Sequence, residues 1–124
     1  MPTFPRAFPR WGEVYHVDFN PARGSEQAGR RPAVVVSNDT NNQRGSVVTV
    51  AALTTKQVEE RARFPQNVRV PAGELPEESV ILSNQLVTID KTRLIKYWGQ
   101  IDDPQRRELK VALAIALALP RPTP

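Results

Sequence analysis

The sequence predicts a mainly β fold with α: a small, strongly bent sheet closed into a barrel, with one helix packed on it at the C-terminus. Three observations predict this. Short apolar segments rich in valine recur between polar turns along residues 13–101. Sustained helical periodicity appears only after them, in residues 103–119. The chain of 124 residues is long enough for one domain with one real core.

The elements follow in order. Residues 1–9 hold three prolines and little periodicity, so they are expected to form an extended, disordered arm. The folded unit is residues 10–119, and residues 120–124 are a frayed tail. Residues 13–19 alternate, with Tyr15, Val17 and Phe19 on one face and Val14, His16 and Asp18 on the other. That is a half-buried strand, ended by Asn20-Pro21. Residues 33–37 form a short valine-rich strand. Residues 38–45, with three asparagines, read as a polar turn region. Residues 46–53 are almost wholly apolar and form a central strand. Residues 54–66 are charged and irregular, with room for a short helical turn. Residues 67–70 are a brief strand, and residues 79–86 another. Thr88-Ile89-Asp90 begins a turn or bend. Residues 94–101, with Tyr97 and Trp98, form the last strand.

The C-terminal helix has the clearest signals. Asp103 is placed to cap it, Pro104 suits its first position, and Pro120 stops it. Leu109, Leu113 and Leu117 share one face, and Ala112, Ile115 and Leu119 lie beside it. From Val111 to Leu119 every residue is apolar. Such a run is far short of the roughly 20 residues that span a bilayer, so protein must cover it on more than one side. Its own sheet supplies one side; another element or a second subunit supplies the rest.

Composition narrows the chemistry. There is no cysteine, which excludes disulfides and thiolate catalysis, and a single histidine argues against a zinc site. No transmembrane run or signal peptide is recognisable, so the expected location is the cytoplasm. Seventeen basic against thirteen acidic residues give a net charge of +4, which favours an anionic partner.

The densest cluster of reactive groups is residues 24–32, Gly-Ser-Glu-Gln-Ala-Gly-Arg-Arg-Pro, running straight into Ala33-Val34-Val35-Val36. Pro32 pushes Arg31 into extended geometry. The guanidinium therefore has a rigid base beside a mobile loop. It is suited to a phosphate, or serves only as a strand-edge charge that discourages aggregation. Thr54 and Thr55 sit where the central strand leaves the core. A hydroxyl there either donates to a phosphate oxygen or bonds its own backbone in a turn. Glu26 is a general base, an orienting partner for Arg31, or a solvated loop acid. His16, mid-strand and without a recognisable partner, reads as structural. The glycine spacing of residues 24–29 suggests a phosphate loop, but no Lys-Ser/Thr ending and no helix follow, which rejects a Walker-type site.

Together with Trp11-Gly12-Glu13-Val14-Tyr15, Val17-Asp18-Phe19-Asn20-Pro21, Ala51-Ala52-Leu53-Thr54-Thr55 and Val80 to Lys91, this string resembles the MazF/PemK (Kid-like) toxins of type II toxin–antitoxin modules. The resemblance covers nearly all of residues 11–119. It implies an SH3-like barrel of the MazF/CcdB kind with a C-terminal helix, working as a homodimer. The implied activity is a metal-independent, cofactor-free, sequence-selective endoribonuclease acting on single-stranded RNA. The implied partner is a cognate antitoxin whose acidic segment covers the RNA groove. DNA is met, if at all, only through that antitoxin. Arg31 and Thr54 are the implied catalytic residues; Glu26 is implied in the substrate groove and is the third catalytic candidate. Ser25, Gln27, Arg30, Thr55, Lys56, Asn84 and Gln85 are implied RNA contacts, and the charged stretch 56–63 is expected to help choose the RNA sequence. Some relatives carry histidine in place of Ser25, aspartate in place of Asn84, or arginine in place of Leu82; this chain has none of these and falls with the Arg/Thr type.

Metal-free RNA cleavage uses the 2′-hydroxyl as nucleophile and leaves a 2′,3′-cyclic phosphate and a 5′-hydroxyl. Arg31 and Thr54 suit stabilisation of the phosphorane oxygens, where one aimed donor is worth about 3 kcal/mol. Arg31 is a poor general base, since deprotonating it at neutral pH costs about 7 kcal/mol. Glu26 is the hypothetical base. Two rivals share the fold: a CcdB-type toxin that poisons DNA gyrase and cleaves nothing, and an adaptor barrel for acidic or proline-rich peptides.

Overall fold

The computed structural model describes residues 4–20, 29–73 and 75–122. Its strands are β1 (Glu13–Asp18), β2 (Arg30–Val35), β3 (Val47–Thr54), β4 (Asn67–Val70), β5 (Ser79–Asp90) and β6 (Leu94–Gln100). Helix α1 (Asp39–Arg44) follows β2, the single turn α2 (Val58–Arg61) follows β3, and α3 (Asp103–Ala116) ends the fold. A 3₁₀ turn, Lys91–Arg93, joins β5 to β6.

All six strands form one antiparallel sheet in the order β4-β5-β3-β2-β1-β6. Among the described residues no ladder joins β4 to β6. The sheet is therefore not closed, which corrects the expectation of a closed barrel. Strand β4 is only 4 residues long and meets Pro71, which has no N–H to extend a ladder. Helix α3 packs over β4 and β5 instead.

Both faces of the sheet are covered. On the helix side, Val14, Val34, Ala51, Leu53, Val68 and Ile81 pack with Leu109 and Ala112 of α3. On the other, Tyr15, Val17, Ala33, Val35, Val48 and Val50 pack with Leu94. So β1 is not a half-buried strand: Val14 is buried as fully as Tyr15 and Val17, within the cluster that includes Leu109 and Ala112. Each valine, leucine or isoleucine so buried contributes about 1.5–3 kcal/mol.

Strand β5 runs unbroken through Thr88-Ile89-Asp90, where a turn was expected. Its irregularity lies earlier. Ala52 faces Leu82 while the adjacent Ala51 faces Leu86, so Ser83, Asn84 and Gln85 are extra residues in β5. Such a bulge bends the strand. The bend lets the first part of β5 pair with β4 and β3, and the second part with β3 alone.

Three local expectations change. Residues 38–45 are not a plain turn. Asn38 caps α1 by accepting from the Asn41 N–H at 2.9 Å, with Asp39 in the first turn and Arg44 in the last. Asn42 is buried, and its Nδ2 donates to the Ser37 carbonyl at 2.8 Å. The cap of α3 is Asp102, not Asp103, because Asp102 is the last residue in extended geometry. The helix also stops before Pro120. Ala118 is left-handed, and the Ala118 and Leu119 N–H groups bond the Ile115 and Ala114 carbonyls in a Schellman turn. Val111, Leu117 and Leu119 face outward, at 36, 51 and 56% exposure. No part of the described chain supplies the second cover that this helix was expected to need.

The arm is laid against the sheet from Phe4 onward. The Phe4 ring meets Tyr15 edge-on at 5.8 Å, and Pro9 is buried. Arg6 donates to the buried Glu13 carboxylate at 3.3 Å, and the Arg10 N–H does so at 2.7 Å. A buried carboxylate requires donors, and residues 6–10 supply them.

Candidate active site

Arg31 and Thr54 lie on neighbouring strands, two residues beyond the last pair of the β2–β3 ladder. Ala33 of β2 faces Ala52 of β3, and the ladder stops there because Pro32 has no N–H to give. Beyond that last pair the two strands continue, β2 back to Arg31 and β3 on to Thr54, toward the same end of the sheet. Arg31 faces Val17 of β1, and Thr54 faces Val80 of β5. Alternation puts Arg31 on the face of Ala33 and Val35, and Thr54 on the face of Ala52 and Val50. Both therefore project from one face of the sheet, at one end of it. Arg31 is exposed and Thr54 half-buried.

Of the two roles open to the Thr54 hydroxyl from the sequence, the turn is the one observed. Its oxygen accepts from the Lys56 N–H at 3.1 Å, as in a turn. That bond uses a lone pair and leaves the hydroxyl proton for another acceptor, such as a phosphate oxygen. Thr55 is half-buried and Lys56 exposed on the same turn, and Gln57 is left-handed with φ of 54°.

Arg30 does not join Arg31 and Thr54. One residue earlier on β2, it takes the opposite face and stands in register with Asp18. Asn84 and Gln85 are exposed on the bulge of β5, beside Ala51 and Ala52 of β3. Ser25, Glu26 and Gln27 lie outside the described residues. The residues flanking their segment are tied together: the Phe19 N–H donates to the Gly29 carbonyl at 3.0 Å, and the Gly29 N–H to Asn20 Oδ1 at 3.1 Å. Arg93 donates to the Asp18 carbonyl at 3.1 Å and also to that of Asn20. Gly29 has φ of 73°, a conformation that favours glycine. His16 is half-buried, edge-on to Trp98 at 5.3 Å, and faces Pro32 and Lys96 in register, away from Arg31. Among the described residues, no three His, Cys, Asp or Glu side chains gather as a metal site would need.

The bulge is the part of the site that residue types alone do not reveal. Its signal was present: Ser83-Asn84-Gln85 interrupts an otherwise apolar run from Val80 to Val87. Ser83 is fully buried, and its hydroxyl has no hydrogen-bond partner among the described residues.

Comparison with known proteins places the family and the fold. A family model described as PemK-like, MazF-like toxin of type II toxin-antitoxin system matches residues 10–117. Endoribonuclease MazF of Staphylococcus saprophyticus is 38% identical over 112 residues, covering 89% of this chain and 92% of that protein. An endoribonuclease from a mycobacterial species, solved in complex with its cognate antitoxin, superposes with a TM-score of 0.76 at 28% identity, covering 92% of this chain and 99% of that one. MazF from Deinococcus radiodurans shares the fold, with a TM-score of 0.76 at 24% identity, covering 90% of this chain and 98% of its own. The chain belongs to the PemK/MazF family of toxins of type II toxin–antitoxin systems.

Proposed function

We propose that this chain is the toxin of a toxin–antitoxin module and acts as a metal-independent endoribonuclease on single-stranded RNA. The observation that carries the reading is the juxtaposition of Arg31 and Thr54 on one face, at the open end of β2 and β3. A guanidinium and a hydroxyl side by side can bind two oxygens of one phosphodiester.

The chemistry then runs as follows. The 2′-oxygen attacks phosphorus and its proton passes to a base, for which Glu26 is the candidate. Negative charge grows on the non-bridging oxygens, where Arg31 and the Thr54 hydroxyl stabilise it. The P–O5′ bond breaks, and the departing 5′ oxygen takes a proton from Arg31 or from water. The products are a 2′,3′-cyclic phosphate and a 5′-hydroxyl. Thr55, Lys56, Asn84 and Gln85 contact flanking nucleotides. Ser25 and Gln27 also contact RNA, and Arg30 contacts it beyond the other face of β2.

The net charge of +4 suits an antitoxin with an acidic segment that competes with RNA for this groove. The outward Val111, Leu117 and Leu119 suit a homodimer. No helix among the described residues is long and apolar enough to cross a membrane.

Incubation with a mixed-sequence single-stranded RNA in EDTA tests the reading. Discrete fragments ending in cyclic phosphate are expected. Intact RNA together with inhibited gyrase supercoiling would replace it with a CcdB-type poison.

A further inference from the structure

We propose that Arg69 is a positioning residue for RNA selection, holding the segment that follows Thr54 through its ion pair with Glu59. The inference rests on the endoribonuclease reading above.

Arg69 belongs to the same cross-sheet row as the candidate site. It faces Val80 of β5, and Val80 faces Thr54 of β3. Its neighbours Val68 and Val70 point into the core under α3, so Arg69 takes the other face, the one that carries Thr54 and Arg31. At two strand spacings it stands about 10 Å from Thr54 along the row, too far to share its phosphate.

What Arg69 does reach is the wall of the site. Helix α2 folds over this face, with Val58 and Ala62 packed on Ala52, Val80 and Leu82. Its Glu59 accepts from Arg69 Nη2 at 2.6 Å, and Glu78 accepts from Nε and Nη2, both at 3.2 Å. The fork on Glu78 fixes the guanidinium plane, and the fixed plane fixes Glu59. With two carboxylates on one guanidinium, Arg69 has no charge to spare for RNA.

The segment needs such a hold. Helix α2 is a single turn of 4 residues with none buried, far below the length at which a helix is stable alone. It is entered through left-handed Gln57, a costly conformation for a residue with a Cβ. Apart from the apolar contacts, it is tethered by Arg69 and by Asn67 Nδ2, which donates to the Arg61 carbonyl at 2.9 Å. Thr55, Lys56 and Gln57 lie between the end of β3 and this tether. Loosening it frees the residues beside the scissile phosphate without touching Arg31 or Thr54.

The test uses the full chain and two variants. Glu59→Gln breaks the α2 arm and leaves the Glu78 fork intact; Arg69→Lys keeps the charge and loses the fork. Sequencing the ends cut from a mixed-sequence RNA should show a broader set of cleaved sequences for both. KM should rise about two- to five-fold, the range open to exposed ion pairs, with kcat within about two-fold. Amide exchange over residues 56–62 should accelerate by a similar factor while the melting temperature holds. A parent-like cleavage profile and parent-like exchange in both variants would overturn the role of Arg69. A parent chain that cuts no RNA overturns the endoribonuclease reading instead, and the exchange measurement still decides the tether.

Discussion

Tyr15 and Glu13, two residues apart on β1, share a buried hydrogen bond: the phenol hydroxyl donates to Glu13 Oε1 at 2.8 Å. Burial of the ring raises the Tyr15 pKa well above its usual value near 10, and the bond to Glu13 and the charge of that carboxylate raise it further. Because the folded pKa is raised, the stabilisation is fully present below about pH 10 and is lost as pH climbs toward the folded value. Tyr15→Phe should cost about 1–3 kcal/mol at neutral pH, since Glu13 loses a donor where water cannot replace it. It should also flatten the alkaline fall in stability. Urea unfolding at neutral pH and above about pH 10 checks both; an unchanged alkaline slope would remove Tyr15 as its cause.

Gly12 is required by its surroundings. Its φ is 88°, and a Cβ there would sit 2.5 Å from Arg106 Nη1. That guanidinium donates to the Trp11 carbonyl at 2.8 Å and the Ile101 carbonyl at 3.1 Å, joining β1 to the start of α3. Gly12→Ala should cost roughly 2–4 kcal/mol, combining left-handed strain with displaced Arg106 bonds. In the Gly12→Ala, Arg106→Ala double variant the cost should fall below the sum of the two single costs. Strict additivity in a thermal unfolding series would contradict the contact.

Arg31→Ala should slow single-turnover RNA cleavage by at least about 10²–10³-fold, the loss expected for one aimed donor. The circular dichroism spectrum and melting temperature should stay those of the parent, because Arg31 is exposed. Thr54→Ser should keep most of the rate and Thr54→Val should lose about as much as Arg31→Ala, since the hydroxyl proton is the working group. Equal rates for Thr54→Val and the parent would confine Thr54 to its turn with Lys56.

Glu26→Gln tests the base. A drop of about 10²–10⁴-fold is expected, with loss of the acidic limb of the rate profile between about pH 5 and 8. A parent-like rate across that range would take Glu26 out of the proton transfer and leave it an electrostatic or positioning role.

Much of this was legible in the sequence because it depends on near neighbours. Valine-rich runs choose strands, and Asp102-Asp103-Pro104 starts a helix within one residue of the expected cap. Pro32 sets the backbone of Arg31 from the adjacent position. The short helix α1 was missed because its asparagines favour turns and caps equally; burial of Asn42 against Ser37 selects the helix.

The residue types, the strands that carry them and the apolar helix were thus determined locally, by spacing and steric preference. What only the tertiary structure decided is which of those residues meet. A register is a property of two strands, and no periodicity within β2 or β3 states that Arg31 and Thr54 share one face of the sheet while Arg30 turns away. The bulge of β5, the open edge between β4 and β6, and the grip of Arg69 on Glu59 arise in the same way. Each depends on contacts between distant parts of the chain, which the sheet brings together only as it pairs and bends.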